Sequence, residues 1–145
     1  MQIREILTLK SDAIHSIAPT DSVESAVAKM VSLGVGSLVV LKGNGEMAGL
    51  LTERDVVHGL LKQGCDLKDA EVSTIMVTEP VVASADDSVD YARDVMTKSH
   101  IGHLPIFDGN KLLGIISFHD VARACLKEAN FENSLLKRYI KHWPE

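Results

Sequence analysis

Two four-residue stretches of this chain could do chemistry, and they are alike. Thr52-Glu53-Arg54-Asp55 and Ser117-Phe118-His119-Asp120 each set a hydroxyl three residues ahead of a carboxylate. Each follows an apolar run that begins with glycine, Gly49-Leu50-Leu51 and Gly114-Ile115-Ile116. At the start of a helix this spacing makes a capping box, in which hydroxyl and carboxylate each accept a backbone N–H that the helix leaves unpaired. Taken singly, such a pair begins many helices. The same residues also place an ionised carboxylate, which only accepts hydrogen bonds, at a helix end whose free N–H groups and dipole favour anions. A device of this kind used twice asks for more than capping.

The whole chain is duplicated in the same sense. A shift of 66 residues lays Asp21-Ser22-Val23 on Asp87-Ser88-Val89, Ala26 on Ala92, Met30 on Met96, Gly36 on Gly102, Leu38 on Leu104 and Gly43-Asn44 on Gly109-Asn110. After one deletion, a shift of 65 lays Gly49 on Gly114, Thr52 on Ser117 and Asp55-Val56 on Asp120-Val121. Register held over the length of both halves marks a tandem repeat of a unit of roughly 50 residues.

Each unit reads as β-α-β-β-α. Short strands are expected at 16–19 and 81–84. Asp21 and Asp87 are expected to cap the first helices, with Glu24 and Asp90 three residues on. Val23, Ala26, Val27, Met30 and Val31, and then Val89, Ala92 and Met96, have helical spacing. A β-rich run follows (36–41 and 102–107), then a turn in which Gly and Asn supply positive φ, then a second apolar strand and the Ser/Thr-x-x-Asp helix. The fold class expected is α/β (α+β): two tandem units related by a pseudo-two-fold, each a small mixed sheet covered by helices. The boundaries expected are an N-terminal segment at 1–11, units at 12–64 and 78–128, a helix-containing linker at 65–77, and a C-terminal amphipathic helix at 129–145 with Phe131, Leu135, Tyr139 and Ile140 on one face.

Composition narrows the function classes. Of 145 residues 46% are hydrophobic but only 4% aromatic, so the core must be aliphatic. A net charge of −5 argues against a broad nucleic-acid footprint. No apolar run is long enough to span a bilayer, and the charged first ten residues do not resemble a signal peptide, so a cytoplasmic chain without membrane association is expected. Cys65 and Cys125 are isolated thiols rather than a bridge. His100-x-x-His103 has a helical metal spacing, yet no Cys or carboxylate cluster accompanies it, so no metal is expected. Asp86-Asp87 reads as a cap with a solvated neighbour, and no local motif supplies a nucleophile with its base.

The stretches "AVAKMVSLGVGSLVVL...GLLTERDVV" and "YARDVMTKSHIGHLPIF...GIISFHDVA" resemble a tandem pair of CBS domains, or Bateman module, over about residues 12–128. The chain is similar to stand-alone bacterial proteins that are little more than such a pair. The resemblance implies two adenosine-ligand sites built across the repeats. One would use Thr52, Arg54 and Asp55 with Val81, His103, Leu104 and Pro105; the other Ser117, His119 and Asp120 with His15, Gly36, Ser37 and Leu38. The carboxylates suit the cis-diol of a ribose, apolar residues would sandwich the base, and Arg54, His103 and His119 are the cations for a phosphate. Val39 stands where the second repeat has Pro105, a proline expected at a strand edge, and Glu53 where it has Phe118, so the sites are expected to be unlike. The implied function is a non-catalytic regulatory sensor of adenine nucleotides, AMP foremost, with ATP, ADP, NAD or S-adenosylmethionine open. It would act as a homodimer and signal to a regulated enzyme or transporter. The alternatives are a structural or oligomerisation module with vestigial sites, and a small nucleotide-acting enzyme.

Overall fold

The computed structural model describes residues 1–10 and 13–141, with side chains to residue 138. The chain divides into two compact units. One is Ala13–Val81; the other joins the N-terminal residues to those from Val82 onward. The expected linker at 65–77 therefore packs within the first repeat, and the N-terminal segment within the second.

In the unit Ala13–Val81, β1 (Ser16–Ile17) leads to α2 (Val23–Leu33), β2 (Ser37–Leu41), β3 (Met47–Thr52) and α3 (Glu53–Gln63), after α1 (Ile3–Thr8) of the other unit. The sheet order is β1-β2-β3, with β1 parallel and β3 antiparallel to β2. Two 3₁₀ turns, Gly64–Asp69 and Val72–Thr74, take the place of the linker helix. The core is Ile17, Ala26, Met30, Leu38, Val40, Leu51 and Val72. In the other unit β4 (Ala83–Ser84), α4 (Val89–Ser99), β5 (His103–Asp108), β6 (Lys111–Ser117) and α5 (Phe118–Lys141) repeat the order, with sheet order β4-β5-β6. Ile3 and Ile6 of α1 are buried in its core beside Val89, Ala92, Met96, Leu104, Ile106 and Ile116. The mixed sheets and β-α-β-β-α order expected from the repeat are present.

Several local expectations need correction. The first helices are capped by Ser22 and Ser88, whose hydroxyls accept from the N–H groups of Ser25 and Tyr91. Asp21 and Asp87 instead close the preceding turns, accepting from the N–H groups of Ala18 and Ser84. A serine whose own φ and ψ are extended can reach the N3 donor, and the aspartate before it is free to serve the turn. Val27 and Val31 are exposed, because Val23, Ala26 and Met30 alone fill the buried face of α2. In the hairpins the positive φ falls on Gly45 and Gly109, not on the asparagines; Asn44 Oδ1 accepts from the N–H of Glu46.

Pro105 lies in the central strand of its sheet, not at an edge. The Val39 N–H donates to the His15 carbonyl at 3.0 Å; Pro105 has no N–H to give, and β4 begins only at Ala83, paired one residue further along with Ile106. The expected tail helix is the continuation of α5, a single 24-residue helix. Phe131 and Leu135 are exposed on it, while the side chains of Tyr139 and Ile140, and Trp143 altogether, fall outside the described residues. At the C-cap of α2 Gly34 has φ 66°, and the matched position in α4 is His100 at φ 53°, the one non-glycine with positive φ among the described residues.

Glycines 49 and 114 hold matched places in β3 and β6 but meet different neighbours. The segment at Val77 pairs with Leu50 through two backbone bonds of 2.9 Å. A Cβ at Gly49 would fall on the Val77 carbonyl oxygen, whereas one at Gly114 would only touch the Leu7 side chain at 3.4 Å. Gly49→Ala is therefore expected to cost about 1–3 kcal/mol, and Gly114→Ala much less. Urea unfolding of both variants checks this, and equal midpoints would contradict it.

Candidate functional site

The two Ser/Thr-x-x-Asp stretches sit at strand-to-helix junctions. β3 ends at Thr52, which is the N-cap of α3; β6 ends at Ser117, and α5 starts at Phe118. The Thr52 N–H donates to Asp55 Oδ2 at 2.8 Å, the Thr52 hydroxyl donates to the same oxygen at 3.0 Å, and the Asp55 N–H donates back to the hydroxyl oxygen at 3.4 Å. At the other junction the Ser117 N–H donates to Asp120 Oδ2 at 2.8 Å and the Asp120 N–H to the Ser117 hydroxyl oxygen at 3.1 Å. The capping role is thus met at both places. It also holds each carboxylate in one rotamer at the helix N-terminus, where the dipole favours its charge.

The hairpins bring further candidates to each junction. Ser37 is opposite Thr52 in the β2–β3 register, and the Glu53 N–H donates to the Gly36 carbonyl at 3.1 Å. Ser37 and Leu38 are buried, and His15 is half-buried just before β1. In the other unit His103 is opposite Ser117, and the Phe118 N–H donates to the Gly102 carbonyl at 2.8 Å. Leu104 and Pro105 are buried and His103 is half-buried. Arg54 and His119 lie exposed on the first turns of their helices, and Val81 is exposed at the end of its unit.

One residue was missed by sequence reasoning. Lys10, two residues beyond α1, donates from its ammonium to Asp120 Oδ2 at 2.7 Å and to the Ile115 carbonyl at 3.0 Å. The signal was available: the 66-residue shift, continued upstream of the repeat, lays Lys10 on Met76. The Asp120 side chain is only 12% exposed and that of Lys10 38%. Among the described residues no group of three or more His, Cys, Asp or Glu could hold a metal ion, and no helix is long and apolar enough to cross a membrane.

Burial by itself would push the Asp120 carboxyl up. The hydrogen bond from Lys10, the Ser117 N–H, the Lys10 charge and the Ser117 side chain together outweigh it and hold the carboxyl below its ordinary value. The folded chain thus takes up this proton less readily than the unfolded chain. The stabilisation is complete above the ordinary aspartate value of about 3.9 and is lost as pH falls through the lower native value. Lys10→Met is expected to move the Asp120 titration to higher pH, read from the side-chain carboxyl carbon resonance. An unmoved titration would contradict the pairing.

Comparison with known proteins agrees with this geometry. The family model described as "CBS domain" matches residues 3–62 and 72–127. The chain is 34% identical over 125 residues to the mitochondrial CBS domain-containing protein CBSX3 of Arabidopsis thaliana, covering 83% of this chain and 61% of that protein, so it spans less than two thirds of that relative. The crystal structure of the CBS-domain containing protein ATU1752 from Agrobacterium tumefaciens superimposes with a TM-score of 0.82 at 28% identity, over 85% of this chain and 92% of that one. The CBS domain pair of protein MJ0100, solved in complex with 5′-methylthioadenosine and S-adenosyl-L-methionine, shares the fold with a TM-score of 0.75 at 22% identity, over 88% of this chain and 98% of that one. With both repeats matched, this chain belongs to the CBS domain family and is a tandem CBS-domain pair.

Proposed function

We propose that this pair is a non-catalytic regulatory module that binds an adenosine-containing ligand at Thr52–Asp55 and at Ser117–Asp120, AMP before ATP, ADP, NAD or S-adenosylmethionine. The observation that carries the reading is the duplicated carboxylate, held by its own helix N-cap at the end of a strand in both units. A carboxylate fixed in this way meets a ribose diol without first losing rotamer freedom. The bond from the N-cap N–H goes to Oδ2 at both junctions, which leaves acceptor capacity at Oδ1. MJ0100, a pair of the same fold solved with two adenosine compounds, lends support. For a phosphate, Arg54, His103 and His119 remain the cations we favour, each one or two residues from a device or opposite it in register.

The non-catalytic part rests on chemistry. Hydrolysis or transfer needs a base or nucleophile beside the scissile bond, and neither device has a second titratable partner of that kind. Output would then pass to a regulated enzyme or transporter through a change of conformation. A homodimer in the cytoplasm fits the surface: Val31 of α2, Val57, Leu60 and Leu61 of α3, and Leu126, Phe131, Leu135 and Leu136 of α5 are exposed apolar side chains.

The test is titration of adenosine and AMP into protein freed of co-purified nucleotide, followed by an assay for turnover. Asp55→Ala and Asp120→Ala should each weaken both ligands at the altered device by about 1.5–3 kcal/mol, and His103→Ala should weaken AMP more than adenosine. Absence of binding by either ligand would sink the sensor reading and favour a structural module. Sustained conversion of AMP or ATP would sink the non-catalytic part.

A further inference from the structure

The two devices have the same cap but not the same neighbour. At Asp120 an ammonium stands one hydrogen bond from the carboxylate, 2.7 Å from Oδ2. The place corresponding to Lys10 is Met76, whose sulfur lies beside Gly49, the residue before Leu50. The correspondence is structural as well as sequential. Lys10 donates to the carbonyl of Ile115, and Leu50, the counterpart of Ile115, exchanges backbone bonds with Val77 next to Met76. A thioether donates no hydrogen bond.

Lys10 is also held in place. Its backbone N–H donates to the Leu7 carbonyl, and α1 is anchored in its unit by buried Ile3 and Ile6. The N–H groups of Ile3 and Arg4 donate to the carbonyls of Asp87 and Ala85 at 2.9 Å, and Arg4 pairs with Asp86 and Asp108. The ammonium is therefore a pre-positioned donor rather than a loose surface charge. Its bonds to Asp120 and to Ile115 account for two of its three N–H groups.

A hydroxyl both donates and accepts, whereas a carboxylate only accepts. A device made of a carboxylate alone leaves the acceptor lone pairs of a bound hydroxyl unserved; a carboxylate beside an ammonium serves both. We infer that Lys10 is a ligand-contacting, specificity-determining residue of the Asp120 device, donating to a ribose hydroxyl whose proton goes to Asp120, so that this device reads the sugar through a donor and an acceptor. The Asp55 device, with Met76 in the matched place, lacks that donor. The inference rests on the proposal that the aspartates hold ribose.

The experiment is a coupling measurement in an Asp55→Ala background, so that the Asp120 device alone is read. Adenosine, 2′-deoxyadenosine and 3′-deoxyadenosine are titrated into that protein and into its Lys10→Met and Lys10→Arg versions, with melting curves confirming that each is folded. Lys10→Met should weaken adenosine about tenfold, the size of one charge-assisted bond. It should change the affinity of one of the deoxynucleosides less than about twofold, because the hydroxyl served by Lys10 is already gone. Lys10→Arg keeps the donor and should retain most of the affinity. Equal losses for all three ligands would reduce Lys10 to a structural role and overturn the inference. So would tighter adenosine binding by Lys10→Met, which would make Lys10 a competitor for Asp120. If adenosine binds the Asp55→Ala protein and its Asp120→Ala version equally, the ribose reading itself fails, whatever Lys10 does. If Asp55→Ala alone abolishes binding, the Asp120 device takes no ligand and the inference fails alone.

Discussion

Everything proposed for this chain depends on one short hydrogen bond made twice, from the backbone N–H of an N-cap residue to the carboxylate three residues ahead. At 2.8 Å in both units it starts a helix and fixes an anion at the same time. A helix N-terminus must satisfy N–H groups that have no partner within the helix, and a side chain that does so gives up its own rotamer freedom. The cost of ordering a binding carboxylate is thereby met during folding and need not be met when a ligand arrives. Capping and recognition are two uses of the same geometry.

Duplication supplies two such points, and divergence makes them unequal. The hairpin, the cap and the junction recur almost residue for residue. What differs lies in the segment that runs beside the last strand of each unit: α1 and Lys10 in one, the 3₁₀ turns with Met76 and Val77 in the other. These segments settle different demands. The Val77 backbone pairs with Leu50 and requires glycine at 49, while Lys10 reaches Ile115 and Asp120 through a side chain. A main-chain contact cannot be tuned by substitution as readily as a side-chain contact, so the Asp120 device is the one open to change in specificity.

Much of this was legible in the sequence for reasons that are physical. The β-α-β-β-α order follows from two copies of one pattern, each checking the other, and the junction residues stand out because a hydroxyl, a carboxylate and a helix start coincide. What was not legible depended on geometry that spacing does not carry. Ser22 and Asp21 are both good caps by type, and only the backbone decides that serine caps the helix while aspartate closes the turn. Val27 and Val31 fit the helical period, yet the small sheet beneath α2 has room for Val23, Ala26 and Met30 alone. Pro105 suggested an edge, but a central strand tolerates it where the neighbouring strand has not yet begun. Lys10 escaped notice because it lies outside the repeat, and the ion pair with Asp120 joins residues far apart in the chain.

The central claim, that the capped carboxylates are binding groups, is tested most directly by native mass spectrometry of ligand-free protein titrated with adenosine. Uptake of two adenosines per chain by the wild type, one by Asp55→Ala or Asp120→Ala, and none by the double variant is the result predicted. Equal uptake by the wild type and the double variant, or no uptake at any concentration, would contradict it.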